Sequence, residues 1–382
     1  MIQFGSMSIT LLVGALYGVL FAVLLYWTTR NQLANRFLAM LLIVIAMQLL
    51  PYIIGYAGFY DKFPWLSYLP YETSLAFGPL LFFYVRSLSA MPVPKNWWLH
   101  FLPVATQVAY YCIVFPFPLE FKNAWDTNVH VPFVLPVEQA ATFISICSYW
   151  WLSFKHYRAY QAWLINNVSD REDHHIEWVR NFLIALGLTI VFWVGLVGFE
   201  RLVAKLNYFQ QFPFYVWLAV LSYYLGTEGY RNAGHRYPVW LGGAASPAKL
   251  SARPAAAAKP APTRDTLRDP IDWQERGNRW REKLVEEQWW RDADLTLASL
   301  ARELGTNTSD LSRGINEGLG MNFNELINRL RVDAVKAALK ELPEGNLLDI
   351  AFDAGFSSKA SFNRSFKLYT GETPTAWRAA AK

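Results

Sequence analysis

Runs of roughly twenty apolar residues, the length that crosses a bilayer as a helix, recur along the first 230 positions and then stop. They fall near 8–28, 37–57, 68–87, 98–116, 132–154, 177–199 and 212–230. The third is the weakest, because it contains Glu72. Beyond residue 270 the pattern changes to short amphipathic stretches with apolar residues three or four apart, the signature of helices that bury one face. The expected fold is all-α. It has a seven-helix transmembrane bundle (1–231), a linker (232–270) and an α-helical domain (271–382) with two helix-turn-helix units.

The distribution of Lys and Arg orients the bundle. The first, third and fifth connections hold Arg30 and Arg36, then Arg86 and Lys95, then Lys155, Arg158 and Arg171. The alternate connections hold only Lys62, Lys122, and the pair Arg201 and Lys205. Seven spans with this bias predict an outside N-terminus and a cytoplasmic C-terminus, in the inner membrane of a bacterium. Trp97–Trp98 and Trp150–Trp151 then fall at the inner interface, where aromatic belts form. The first span lacks a basic leader and a small-residue cleavage site, so it reads as retained rather than as a signal peptide.

Polar groups inside spans are costly and mark functional candidates. Glu72 and Glu138 lie one to two turns below the outer surface, with Gln48, Gln107 and Gln139 at middle or outer depths. Pro51, Pro70, Pro79, Pro103 and Pro136 are expected to kink helices and open space between them. One reading is an outward-facing pocket, with Glu72, Glu138, Gln48 and Gln139 on its wall, for an unknown small-molecule or envelope signal. The other is that each Glu is neutral or satisfied by a Gln or Tyr of a neighbouring helix.

Residues 232–270 are rich in Pro and Ala without apolar periodicity and read as a linker. Beyond it, Leu300-Ala301-x-x-x-Gly305 recurs as Ile350-Ala351-x-x-x-Gly355, and Leu311-x-Arg313-x-Ile315 as Phe362-x-Arg364-x-Phe366. Gly320 recurs as Gly371, and the second turn carries one extra residue. In each unit a small Ala lets two helices approach and a Gly makes the turn. Between the units, Asn322 is placed to cap a helix running to about Leu339, long enough at roughly 27 Å to set two recognition helices about one DNA turn apart. Residues 271–291, with Trp273, Trp280, Leu284, Trp289 and Trp290, read as a preceding helix. It either packs on the domain or pairs with a second copy of the chain.

The stretch from about Leu295 to Arg378 resembles the DNA-binding domain of the AraC family of bacterial transcription regulators. The matching residues are Leu300-Ala301, Gly305, Leu311-Ser312-Arg313, Gly320, Arg331, Ile350-Ala351, Gly355-Phe356-Ser357-Ser358, Phe362, Arg364, Phe366-Lys367, Gly371, Thr373-Pro374 and Arg378. The membrane half, including Phe77-Gly78-Pro79-Leu80-Leu81 and Leu99-His100-Phe101-Leu102-Pro103, resembles the multi-span region of membrane-bound members. The resemblance implies base reading by Ser309, Ser312 and Arg313 on the first recognition helix, and by Lys359, Ala360, Ser361 and Arg364 on the second. Lys367 and the hydroxyls of Ser357 and Ser358 are placed for phosphate, while simple N-capping is the first reading of the two serines and does not exclude phosphate contact. Gly314 inside the first recognition helix, costing about 1 kcal/mol relative to Ala, and Asp310 near the phosphates both weaken the first unit.

Composition sharpens the division. The chain is 53% hydrophobic and only 17% charged. Residues 1–263 hold 17 Lys/Arg and 11 Asp/Glu, net +6, whereas residues 264–382 hold 18 and 19, net −1. A near-neutral DNA-binding half predicts modest non-specific affinity. Cys112 and Cys147 read as small buried residues at different depths, not a disulfide. Residues 171–177 (Arg-Glu-Asp-His-His-Ile-Glu) lack a metal-ligand spacing and read as a solvated face. The seventh span has no lysine for a retinal Schiff base. No nucleophile motif, zinc-ligand helix or phosphate loop is present, so no catalysis and no cofactor are expected. The expected partners are double-stranded DNA, membrane lipid, the signal and a second copy. The alternatives are a membrane enzyme or transporter with an appended regulatory domain, and a passive anchor.

Overall fold

A computed structural model describes residues 2–168, 177–203, 206–235, 237–238, 240 and 272–380. Most of the expected linker, and residues 171–176 of the charged loop, lie outside them. The described residues form helices and no β-strand. They group into two compact units, Met1–Arg158 with Ile176–Val239, and Ala159–His175 with Trp240–Lys382.

The first unit contains α1 (Ser6–Tyr26), α2 (Gln32–Tyr56), α3 (Phe59–Lys62), α4 (Phe77–Leu88), α5 (Leu102–Val114), α6 (Leu119–Trp125), the larger part of α7 (Leu135–Asn167), α8 (Glu177–Leu202) and α9 (Phe212–Asn232). Helix α1 shows its packing logic. Ser8, Leu11, Ala15, Gly18, Ala22 and Leu25 form its buried face, which meets α2 and α9. A Cβ on Gly14 would collide with Ala219, and one on Gly18 with Ser222, so small residues bring α1 and α9 into close approach. The opposite stripe, Ile9, Val13, Leu16, Leu20 and Val23, is apolar and exposed. In water such a stripe is unfavourable by about 25 cal/mol per Å².

Among the described residues, four helices are long and apolar enough to cross a membrane: Ser6–Tyr26, Gln32–Tyr56, Leu119–Leu164 and Glu177–Glu200. The expected seven spans therefore do not all appear as full-length helices. The third breaks down at its start, where Tyr68 takes a left-handed φ of 65° and Pro70 restricts its neighbour. Helix resumes with a 3-10 turn at Ser74–Ala76 and continues as the 12-residue α4. Glu72 thus stands in a turn, not on a helix. The 13-residue α5 rises only about 20 Å. The 21-residue α9 has the length, but Thr227, Glu228 and its tyrosines dilute its apolar character. A π-helical segment, Asp126–Val134, joins α6 to α7. Of the five prolines expected to kink helices, Pro51 does lie inside α2. Pro103 instead occupies the first turn of α5, where a missing N–H is harmless, and Pro136 follows the π-helical segment within a continuous helical run. Both cysteines are unpaired, but Cys112 is exposed rather than buried.

The second unit contains α10 (Trp273–Glu286), α11 (Leu297–Glu303), α12 (Thr308–Arg313), α13 (Phe323–Glu341), α14 (Leu347–Asp353), α15 (Lys359–Thr370) and α16 (Pro374–Ala380). One continuous core runs from Leu284 and Trp290 through Leu311, Ile315, Ile327 and Val335 to Phe356, Phe362 and Phe366. Each helix start has its own cap. Asp272, Thr296, Asn307, Asn322, Asn346 and Ser358 accept backbone N–H groups of α10 to α15. Arg331, fully buried on α13, donates to the carbonyls of Trp290 at 2.8 Å and Asp292 at 2.7 Å. It also lies over the Phe356 ring at 5.8 Å. It ties the segment entering the first helix-turn-helix to the turn of the second.

Candidate DNA-reading faces and a polar cavity

In the second helix-turn-helix, buried Ala351 lets α14 approach α15, and Gly355 turns the chain at φ 87°. Only glycine fits, because a Cβ there would lie 2.5 Å from the Arg291 carbonyl oxygen. Phe362 and Phe366 face inward, with Phe356 5.5 Å from Phe362 and Trp377 6.0 Å from Phe366 between ring centres. The helical period therefore turns Lys359, Ala360, Arg364 and Lys367 outward, and all four are exposed. Ser361 is a correction to the expected reading set. It is 5% exposed, because it shares the inward face with Phe362, Ser365 and Phe366. Ser358 caps α15 by accepting the Ser361 N–H at 3.2 Å; Ser357 is half-buried in the turn just before it.

The first unit is built differently. Asn307 caps α12 by accepting the Asp310 N–H at 2.8 Å, and its amide donates to Asp310 Oδ2 at 3.0 Å. Asp310 is thus a reciprocal cap as well as a negative charge near the helix start. Ser309 is exposed; Ser312 is half-buried and accepts from Asn316 at 3.1 Å. Helix α12 has only six residues and ends in a π-helical turn, Gly314–Gly318. Helix α10 docks on that turn. A Cβ on Gly277 would lie 2.5 Å from the Gly314 carbonyl oxygen, and one on Gly314 would strike the Trp280 ring. Gly314 is therefore a contact point for α10, not merely a weak helix residue. Arg313 lies 4.7 Å from the Trp273 ring centre, and its Nε and Nη2 reach Glu317 at 3.2 and 3.3 Å.

Helix α13 separates the two units with 19 residues, about 28 Å at 1.5 Å per residue. Arg329 on α13 holds Glu325 at 2.6 Å and lies 5.5 Å over the Tyr369 ring of α15. Burial first, then the Glu325 carboxylate, raises the Tyr369 hydroxyl above its ordinary pKa.

In the first unit, Gln48, Glu72, Glu138 and Gln139 all line one cavity of about 440 Å³. Gln48 Nε2 donates to Glu72 Oε1 at 3.0 Å, and Tyr111 donates to Glu138 Oε2 at 3.1 Å. Gln107 also donates to Glu138, and to Ser74 Oγ at 3.0 Å. Glu200, Gln211 and Tyr215 complete the wall. Sequence reasoning missed Glu200 because it sits just past the apolar run ending at 199, although α8 carries it on. Trp150, expected at the membrane interface, turns toward the same cavity and donates to the Leu183 carbonyl at 2.8 Å. Among the described residues no group of three or more His, Cys, Asp and Glu side chains is placed to hold a metal ion.

Two helix-turn-helix units around one core, with cationic side chains on their outer faces, define the second unit as a DNA-binding domain. Residues 300–380 match the family described as "Helix-turn-helix domain". Helix-turn-helix-type transcriptional regulators of Staphylococcus aureus strains COL and N315 are 40% identical over 85 residues, which span 22% of this chain and 11% of theirs. The chain thus matches about a tenth of the length of those relatives. The "Probable transcription factor PqrA" of Proteus vulgaris is 30% identical over 96 residues, covering 25% of this chain and 78% of its own. A solved structure of a protein from Listeria innocua aligns at 28% identity over 28% of this chain and 96% of its own, with a TM-score of 0.25. The chain belongs to the AraC-type helix-turn-helix transcription regulators.

Proposed function

We propose that this chain is a membrane-integrated transcription regulator. Its DNA-binding domain reads two successive major grooves, under the control of a signal at the helical bundle of the first unit. The observation that carries the reading is the pairing of two faces in one chain. Lys359, Arg364 and Lys367 are exposed on α15 opposite buried Phe362 and Phe366. In the first unit, the exposed stripes of α1 and of α8 (Leu188, Val191) are apolar. The first pattern suits a polyanion, the second a hydrocarbon solvent.

On this reading Arg364 contacts a base, with guanine O6 and N7 the best match for its guanidinium. Lys359 reads or steers beside it, Ala360 makes apolar contact, and Lys367 with the Ser357 and Ser358 hydroxyls meets phosphate. Ser309, Ser312 and Arg313 form the weaker, first reading head. The N-terminus lies outside and the second unit in the cytoplasm of a bacterial cell, with the bundle crossing the inner membrane seven times. The 3-10 turns before them extend the shorter α4 and α5 to about 24 and 30 Å. A signal at the cavity then biases how the DNA-binding domain is presented, alone or as a pair of copies.

Reporter fusions test the membrane part. Alkaline phosphatase fused after residue 382 is expected to be inactive and a fluorescent protein there bright, both in the membrane fraction. Active phosphatase, or a chain found in the soluble fraction, contradicts the topology. Footprinting of bound promoter DNA tests the reading heads.

A further inference from the structure

We propose that the cavity of the first unit binds an organic cation, an ammonium or guanidinium group carried on an aromatic or branched apolar body. The inference rests on the sensing reading above and names the class of signal. The volume, about 440 Å³, falls in the range of small-molecule sites, which are mostly apolar with a few convergent polar groups. Here the convergent groups have one sign. Glu72, Glu138 and Glu200 reach the wall from the turn before α4, from α7 and from α8, and among the described residues no Lys, Arg or His lines it.

The hydrogen bonds hold these carboxyls as acceptors. The Leu75 N–H, which only donates, bonds Gln107 Oε1 at 3.3 Å and so fixes that amide with its NH₂ toward Glu138. The Ser74 N–H donates to Glu72 Oε1 at 3.3 Å beside Gln48. Gln211 donates to Glu200 Oε1 at 3.0 Å while accepting from the Tyr52 hydroxyl at 3.2 Å. Side-chain amides and hydroxyls orient the three acids but supply no positive charge. A buried carboxyl without a counter-ion either takes up a proton or pairs with a cation, and here a cationic occupant supplies the pairing.

The rest of the wall says what carries that charge. Tyr111, Trp150, Trp193 and Tyr215 line the same space, Tyr215 being stacked on Tyr52 on one side. Aromatic faces beside carboxylates are the surroundings that hold organic ammonium groups. A bare divalent metal fits poorly, because these acids do not converge on one metal-sized point. An anionic occupant would meet three carboxyl groups.

The test uses the full chain in lipid nanodiscs, with tryptophan fluorescence and thermal unfolding as readouts. The probes are benzyltrimethylammonium and octyltrimethylammonium, the neutral isostere neopentylbenzene, and benzenesulfonate. The expected result is a saturable fluorescence change and a rise in Tm with at least one cation and neither of the others. The affinity should fall at least tenfold in Glu138→Gln and Glu72→Gln, whose amides keep the shape of the carboxyls. Far-UV circular dichroism checks that each variant keeps its helices, and Glu200→Gln provides a third, independent wall position. Equal binding of neopentylbenzene, undiminished cation binding in all three variants, or no binding by either cation overturns the proposal. Footprinting with and without bound cation separates the layers. A cation that binds but leaves the footprint unchanged supports the ligand class and contradicts sensing, whereas sensing of another ligand survives failure of both cations.

Discussion

The guanidinium of Arg313 lies 4.7 Å from the centre of the Trp273 ring and 3.2 Å from the Glu317 carboxylate. A side chain expected to read DNA is thus already engaged by the helix that precedes the domain and by its own next turn. An exposed i,i+4 ion pair contributes at most about 1 kcal/mol, and an exposed cation–π contact about as much. Arg313 must give up this order of energy before it reaches a base edge.

Substitution at Arg313 should therefore lose less than a full bidentate base contact is worth. Arg364→Ala is expected to weaken specific binding by roughly 10- to 100-fold, the value of a bidentate guanine contact. Arg313→Ala should weaken it by less than about tenfold, since the wild-type contact is offset by the lost Trp273 and Glu317 interactions. Gel-shift titration of both variants on one operator measures the difference. Equal losses would show that Arg313 pays no such cost.

Gly277 offers a test in which local propensity and packing predict opposite signs. In a helix interior, Gly→Ala stabilises by about 1 kcal/mol. At this position the new Cβ would lie 2.5 Å from the Gly314 carbonyl oxygen, and overpacking of that kind destabilises by about 1–3 kcal/mol. Gly277→Ala should lower the Tm of the DNA-binding unit in calorimetry. A raised Tm would mean that α10 does not dock on the Gly314–Gly318 turn.

Arg331→Lys is the conservative change expected to fail. Here the two carbonyls are reached from two separate nitrogens, Nε and Nη2, whereas a lysine presents a single nitrogen on a flexible stem and lacks that planar fork. The loss leaves a buried charge incompletely paired, at about 3–5 kcal/mol. Denaturant unfolding should show a lower midpoint, with binding at both reading heads weakened together because Trp290, Asp292 and Phe356 shift with it.

The near-neutral charge of residues 264–382, 18 Lys/Arg against 19 Asp/Glu, predicts modest non-specific affinity. Few phosphate contacts give a shallow dependence of log affinity on log salt. Lys367→Ala should reduce the slope by about one while leaving base preference intact, and Arg364→Ala should change base preference. Titrations across a salt series on matched and mismatched operators separate the two.

The repeat of Ala, Gly and paired apolar residues was legible in the sequence because each has one physical use. Gly305, Gly320, Gly355 and Gly371 all take positive φ, and Leu311, Ile315, Phe362 and Phe366 are all buried. Asn322 caps α13 as its spacing requires. The inward turn of Ser361 was not legible, since a small polar residue beside a buried aromatic reads equally well as surface. Nor was the docking of α10, which depends on Gly277 meeting a backbone carbonyl 37 positions away. In the apolar half, Glu72, Glu138, Gln48 and Gln139 stood out because polar groups are rare there, and one cavity gathers them. Glu200 and Gln211 lay at run ends, where polar residues are ordinary. Seven apolar runs resolved into four full-length apolar helices because hydropathy alone does not register the Pro-rich and Tyr-rich turns at 64–73 and the short α5.

Hydroxyl-radical footprinting of the full chain in nanodiscs on its promoter DNA tests the central claim most directly. Two helix-turn-helix units joined by α13, itself about 28 Å long, predict two protected stretches about 10 base pairs apart on one face of the duplex. Arg364→Ala should erase one and leave the other. A single protected stretch, protection of unrelated DNA to the same extent, or an unchanged pattern in Arg364→Ala would contradict the account.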